Sequence, residues 1–311
     1  MTDLTVPIVT RDDVLAAAER IRGRVRRTPV LEVSPTLTLK LELLQHTGSF
    51  KPRGAFNRLL SARAAGELGD QGVVAASGGN AGLAVAYAAR DLGVPAHVFV
   101  PENAPEPKVR RLRELGADVV QTGTEYAEAS AAAATAATER GALLVHAYDQ
   151  PEVVAGQGTL GLELTDQVDG ADTVLVAVGG GGLMAGIVTA LDGRARVVGV
   201  EPELCPTMHQ ALQAGVPVDV PVSGSAADSL GARRLGEIAF AAASSYGVLS
   251  VLVGEDAILA ARRELWQRYR LVAEHGAATA YAALTAGAYK PEHDERVVVV
   301  VCGANTDPSD L

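Results

Sequence analysis

The chain has 311 residues, more than one hydrophobic core usually organises, so two domains, or a large domain with a smaller one inserted, are expected. With 48% hydrophobic and 21% charged residues it can bury a substantial core, which excludes a disordered chain, and no segment has the apolar span of a membrane helix. A net charge of -10 excludes a general nucleic-acid binder, because a phosphate-neutralising surface needs clustered Lys and Arg.

Cys205 and Cys302 are the only cysteines, too few for a disulfide framework or a zinc site built on cysteine spacing. The opening MTDLTVPIVTRDDVL carries early acids and no secretory pattern, so a cytoplasmic protein is expected. Lysine is scarce, at positions 40, 51, 108 and 290 only, so a lysine in an odd setting stands out.

Residues 11-22 have helical spacing, and TPVLEV followed by TLKLELL reads as two strands around a Ser-Pro turn. Helix and strand then alternate: a helix over 52-66, strand GVVAAS, helix AGLAVAYAARDLG, strand PAHVFV, helix PKVRRLRELG, strand ADVVQT, helix 124-141 and strand ALLVHA. After residues 149-168 a second series begins with strand TVLVAV, a glycine run and a helix. Strand RVVGVE and further helices follow, and RVVVVV (296-301) is the last strand. Residues 215-232 lose periodicity and gain Gly, Pro and Ser, so a long surface or active-site loop is expected there. Val-rich runs separated by helices predict an α/β protein with mainly parallel sheets covered on both faces.

Three strand-to-helix junctions carry chemistry. In TVLVAVGGGGLMAG, Gly179 to Gly182 turn the chain before a helix that begins near Leu183, which aims bare N–H groups at one spot and suits an anion. Gly180, Gly182 and Ala185 also satisfy the dinucleotide pattern, with Glu201 at the end of the next strand, so a nicotinamide dehydrogenase is the rival of a different class. A tight helix entry with no ligand is the bland alternative. In HTGSFKPRGA, Lys51 precedes Pro52 at a helix start; it is either a solvated side chain or, in a dry pocket, an amine of lowered pKa able to form a Schiff base. In ASGGNAG (76-82), Ser77, Gly78, Gly79, Asn80 and Ala81 offer a hydroxyl, bare amides and a side-chain amide, as a carboxylate grip or an ordinary helix cap. Cys302, in CGAN at the end of the last strand, reads on its own as a buried small hydrophobe.

Together and in this order, HTGSFKPRGAFN, SGGNAG, GGGGLMAG and CGAN resemble the fold-type II (tryptophan synthase β-like) pyridoxal-phosphate enzymes, specifically the serine/threonine dehydratase family. TPVLEV, LKLELLQ, DQPEVVAGQGT, ADSLGARRLGEI and AEHGAATA agree, so the resemblance covers nearly the whole chain. It implies a large cofactor-binding domain of residues 1-43 and 148-311, a small mobile domain of residues 44-147, and a homodimer. It implies that Lys51 forms the internal aldimine with pyridoxal 5'-phosphate, with Phe50 beside the ring. Gly179, Gly180, Gly181, Gly182 and Leu183 would hold the phosphate, Asn80 the phenolic oxygen, and Cys302 would face the pyridine nitrogen. Ser77, Gly78, Gly79, Asn80 and Ala81 would grip the amino-acid carboxylate. A neutral thiol beside the nitrogen disfavours full delocalisation of a carbanion into the ring, so β-elimination is favoured over transamination.

The activity implied is dehydration and deamination of a β-hydroxy amino acid such as L-threonine or L-serine to a 2-oxo acid and ammonia. Lys51 would move the α-proton, and the cofactor phosphate would serve as the acid for the leaving hydroxyl. Alternatives are 3-hydroxyaspartate or a bulkier β-hydroxy amino acid as substrate, β-replacement as in cysteine synthases, and a non-catalytic amino-acid binder. Three positions depart from relatives. Gly78 stands where the racemases of the family place a serine, so little racemase activity is expected. Glu201 matches the cation-site glutamate, but Thr207 stands where an aspartate would complete the site, so no metal is expected. His275 replaces a common proline and is read as a satisfied core histidine. The chain ends at Leu311, soon after CGAN, so no carboxy-terminal regulatory domain, and hence a catabolic or pathway-specific role, is expected.

Overall fold

Val-rich runs pair wherever both of their faces can be covered, and the computed structural model, which describes residues 8-311, has two sheets built this way. In chain order the first elements are α1 (Arg11–Ile21), β1 (Val30–Ser34), β2 (Leu37–Lys40), α2 (Lys51–Ala64), β3 (Val73–Ala76), α3 (Asn80–Leu92), β4 (Ala96–Val100) and α4 (Glu106–Glu114). Next come β5 (Asp118–Gln121), α5 (Tyr126–Arg140), β6 (Leu143–Leu144), α6 (Pro151–Gln167), β7 (Thr173–Ala177), α7 (Gly182–Leu191), β8 (Arg196–Pro202) and α8 (Thr207–Ala214). The last are α9 (Ala227–Leu230), α10 (Glu237–Tyr246), β9 (Leu249–Val253), α11 (Glu255–Tyr269), α12 (His275–Thr285) and β10 (Val297–Val300).

The larger sheet runs β1-β2-β10-β7-β8-β9 and is parallel except for the β1–β2 hairpin; the smaller runs β5-β4-β3-β6, all parallel. β7 and β10 are buried at every residue, as expected of strands covered on both faces. Each sheet has its own apolar cluster, one around Leu175, Ile187 and Val299 and one around Phe56, Val98 and Leu112.

The architecture departs from the sequence expectation in several places, among them ALLVHA, of which only Leu143–Leu144 form a strand. β9 lies at the sheet edge, parallel to β8, with Leu249 exposed; pairing to β8 makes it a strand. The stretch 215-232 is not all loop, because α9 forms within it and places Asp228 and Ser229 beside the site. TLKLELL stops being a strand at Lys40 and continues in two short 3-10 turns, with Leu43 N–H donating to the Val301 carbonyl (2.8 Å). That bend brings the chain before Lys51 alongside the end of β10.

Helices α6 and α7 cross where Gly158 meets Gly186. A Cβ on Gly186 would sit 2.4 Å from the Val154 carbonyl oxygen and 2.5 Å from the Gly158 nitrogen, both backbone atoms that cannot turn aside. Gly186→Ala is therefore expected to destabilise the fold by about 1–3 kcal/mol, through the displacement of α7 that overpacking forces. Urea unfolding of the variant beside the parent tests this, and an unchanged midpoint would refute it.

Candidate active site

The loop before α2 is bound to the end of β10, and this fixes where Lys51 starts its helix. Phe50 N–H donates to the Cys302 carbonyl (3.1 Å) and Ala304 N–H to the Gly48 carbonyl (2.8 Å). Thr47 adopts φ 61, a costly conformation for a β-branched residue, held in place by the Asn305 amide, which donates to its carbonyl (2.8 Å). From this platform Lys51 Nζ donates to the Ala147 carbonyl (2.6 Å) and lies 5.0 Å from the centre of the Phe50 ring. Burial lowers its pKa to about 8, against the opposing pull of Cys302 and Glu274. The side chain is held by the protein rather than solvated.

Asn80 does not cap its own helix. Its amide nitrogen crosses to both carboxylate oxygens of Glu274 (2.9 and 3.1 Å), and its carbonyl oxygen accepts from Asn305 Nδ2 (2.6 Å). Glu274 is 5% exposed, and burial raises its pKa to about 7, although Asn80 and the Asn305 N–H favour its ionised form. Nearby, Ser77 Oγ accepts from Gly79 N–H (3.2 Å). Burial, with Glu274 next in effect, pushes the Cys302 thiol far up, so it stays protonated.

The glycine turn joins β7 to α7. The N–H groups of Gly179 to Gly182 make no hydrogen bond within the chain among the described residues, and no side chain caps α7. Three of the four positions demand glycine: a Cβ on Gly180 would meet the Tyr148 ring at 2.3 Å, on Gly181 the Ala239 methyl at 2.5 Å and on Gly182 the Tyr148 carbonyl oxygen at 2.6 Å. Tyr148 follows Ala147, whose carbonyl takes the Lys51 amine, so residues 147-148 separate the lysine from the glycines.

Two clefts share these groups. Lys51, Ser77, Ala81, His146 and Gln157 line one; Gly78, Gly79, Asn80, Lys108, Asp228 and Glu274 line the other, larger one. The SGGN loop thus divides between them, while Gly179–Leu183 and Cys302 line neither. His275 also lines neither; burial and Arg262 lower its pKa. Glu201 is fully buried and accepts from Met208 N–H (2.6 Å) and His209 N–H (2.8 Å), so it does not reach outward as a ribose-binding acid would. Glu274 was not singled out by the sequence, and a carboxylate just before an Ala-rich helix in AEHGAATA was the signal available.

A buried amine of lowered pKa, a row of unpaired N–H groups at a helix start and a neutral thiol suit an aldehyde cofactor that carries a phosphate. With the two sheets they define a fold-type II pyridoxal-phosphate enzyme. A family model described as "Pyridoxal-phosphate dependent enzyme" matches residues 21-303, and the chain belongs to that family. It is 40% identical over 301 residues to the L-threonine ammonia-lyase of Geobacter sulfurreducens, covering 94% of this chain and 74% of that protein. Among solved structures, the processed form of threonine deaminase isoform 2 from Solanum lycopersicum superposes with TM-score 0.87 at 31% identity, covering 96% of this chain and 89% of that one. Maize serine racemase superposes with TM-score 0.89 at 29% identity, covering 97% and 95%.

Proposed function

We propose that the chain is an ammonia-lyase that dehydrates and deaminates L-threonine or L-serine to a 2-oxo acid and ammonia. The observation that carries this reading is the Lys51 amine, held at a pKa of about 8 in a cleft that also contains Ser77 and Ala81 of the SGGN loop. Bound pyridoxal phosphate supplies the electron sink for the charge left at the α-carbon. Lys51 takes the α-proton, which a neutral amine near pH 8 does and an ammonium does not. Ser77, Gly78, Gly79, Asn80 and Ala81 grip the substrate carboxylate. Asn80, fixed by Glu274 and Asn305, and Phe50 would hold the cofactor ring, and the N–H groups of Gly179–Leu183 would hold its phosphate. Cys302 stays a neutral thiol and would face the ring nitrogen, an arrangement that would favour elimination over transamination.

Residues 44-147 act as the small mobile domain that closes on substrate, the remainder as the cofactor-binding domain, and the active form is a homodimer. The smaller sheet, β3 to β6, falls wholly inside 44-147, which supports the division. The setting is cytoplasmic, a reading supported by two cysteines that are both unpaired. No helix among the described residues is long and apolar enough to cross a membrane. A second reading, 3-hydroxyaspartate as substrate, draws on Arg111, which lines the larger cleft beside the Lys108–Asp228 ion pair and suits a second carboxylate.

The test is release of 2-oxo acid from L-threonine, L-serine and 3-hydroxyaspartate by the cofactor-loaded protein, with the absorbance spectrum followed in the same cuvette. Turnover of the monocarboxylates supports the first reading, turnover of 3-hydroxyaspartate alone the second. A protein that releases oxo acid from none of them refutes both. The lowered pKa gives a separate expectation. The ordinary value is 10.5, so the rate at which the cofactor-free protein captures pyridoxal phosphate should rise with pH and level off above about 8, as Lys51 loses its proton. A rate still climbing about tenfold per pH unit beyond 9 would contradict it.

A further inference from the structure

The carbonyls of the glycine turn are hydrogen-bonded within the chain, and this fixes the direction of its N–H groups, which have no partner among the described residues. A trans peptide unit is planar, so the carbonyl of one residue and the N–H of the next point in opposite directions. Holding three carbonyls therefore aims three N–H groups. The Gly180 carbonyl accepts from Gly236 N–H (3.1 Å) and the Gly181 carbonyl from Ala185 N–H (2.9 Å), both backbone contacts. The Gly179 carbonyl accepts from a side chain, the Thr207 hydroxyl, at 2.6 Å.

Thr207 is itself well fixed. It is the first residue of α8, fully buried, and its hydroxyl lies 3.0 Å from Glu201 Oε1. The same carboxylate accepts the Met208 and His209 N–H groups, which ties the start of α8 to the end of β8, the neighbour of β7. A β-branched side chain has few χ1 choices, so Oγ1 stays between two acceptors, and its single proton goes to the nearer, the Gly179 carbonyl at 2.6 Å rather than Glu201 Oε1 at 3.0 Å. The segment it restrains has the opposite character, because successive glycines rotate their peptide planes with little steric resistance.

We propose that Thr207 is a positioning residue for the cofactor phosphate: its hydroxyl holds the Gly179 carbonyl and so aims the Gly180 N–H at the bound anion. This deepens the functional reading above and rests on it. Thr207 stands where an aspartate would complete a cation site, and its hydroxyl gives the residue a different use.

The experiment titrates the full-length chain and its Thr207→Val, Thr207→Ala and Thr207→Ser variants with pyridoxal phosphate and with pyridoxal, which lacks the phosphate. Valine keeps the shape and loses the donor, and alanine carries the same comparison if the valine variant does not fold by circular dichroism. Thr207→Val and Thr207→Ala should weaken pyridoxal phosphate about tenfold, the effect of one misaimed donor to a charged group, while pyridoxal binds as in the parent. Thr207→Ser should keep the parent's ratio of the two affinities. Variants that retain the parent's ratio, or that weaken both ligands equally, overturn the proposal and leave the functional reading standing. A parent chain that binds neither ligand overturns the functional reading and this proposal with it.

Discussion

Lys51→Ala should abolish release of 2-oxo acid from threonine and serine, with the loss of proton transfer alone worth about a hundred- to ten-thousandfold. Among the described residues the lysine is the only amine that lines the smaller cleft, and its position is set by backbone contacts that its side chain does not make. Phe50 N–H still reaches the Cys302 carbonyl and Ala304 N–H the Gly48 carbonyl once the side chain is removed, so the variant should fold. Circular dichroism and a coupled oxo-acid assay measured together separate chemistry from folding. Mass spectrometry of the parent after borohydride reduction should find the cofactor on the peptide that contains Lys51. A folded Lys51→Ala protein with full activity would refute the assignment.

Two residues further on, Arg53→Ala should destabilise the protein by about 3–5 kcal/mol, the usual result of removing one partner from a buried ion pair. Arg53 and Glu42 are both fully buried, joined by contacts of 2.6 and 3.0 Å, and Arg53 also bonds Glu163 (2.7 Å) and Thr159 (3.1 Å). Burial works against the guanidinium's charge, but Glu42 and Glu163 outweigh it and raise its pKa. Lys40, also buried, completes the network through Glu163 at 2.6 Å. Without Arg53, the hydrogen bonds left to Glu42 come from neutral groups, the Thr28 hydroxyl (2.6 Å) and the Gln45 amide (3.4 Å), and Lys40, which acts on it without a hydrogen bond, does not replace the lost guanidinium. Denaturant unfolding near pH 7 measures the change, and a loss below about 1 kcal/mol would show that the network relaxes around the gap. Because Arg53 ties the first turn of α2 to the chain after β2 and to α6, Lys51 should lose its alignment in the same variant.

Much of the architecture was legible in the sequence. Val-rich runs such as TVLVAV and RVVVVV are buried on both faces in this chain, and that burial left a readable pattern. The short elements were less legible. Leu249–Val253 becomes a strand by pairing to β8, and α9 forms in a stretch whose Gly, Pro and Ser content reads as loop, because neighbours supply what local propensity does not.

The site divides along the same line. Short stretches of residues were enough to show which chemistries were available: an amine at a helix start in SFKPRG, bare amides at Gly179–Gly182, and a hydroxyl and an amide in SGGN. These are local properties, since a helix terminus and a glycine turn expose N–H groups wherever they form. Which groups meet is set by packing between distant segments. Asn80 and Glu274 are 194 residues apart, and nothing in either segment shows that the amide leaves its helix to hold that carboxylate. Burial likewise separated Glu201 from a ribose-binding role and moved Lys51 and Glu274 toward neutral pH. Desolvation depends on everything packed around a group, and that is a property of the folded chain rather than of any stretch of sequence.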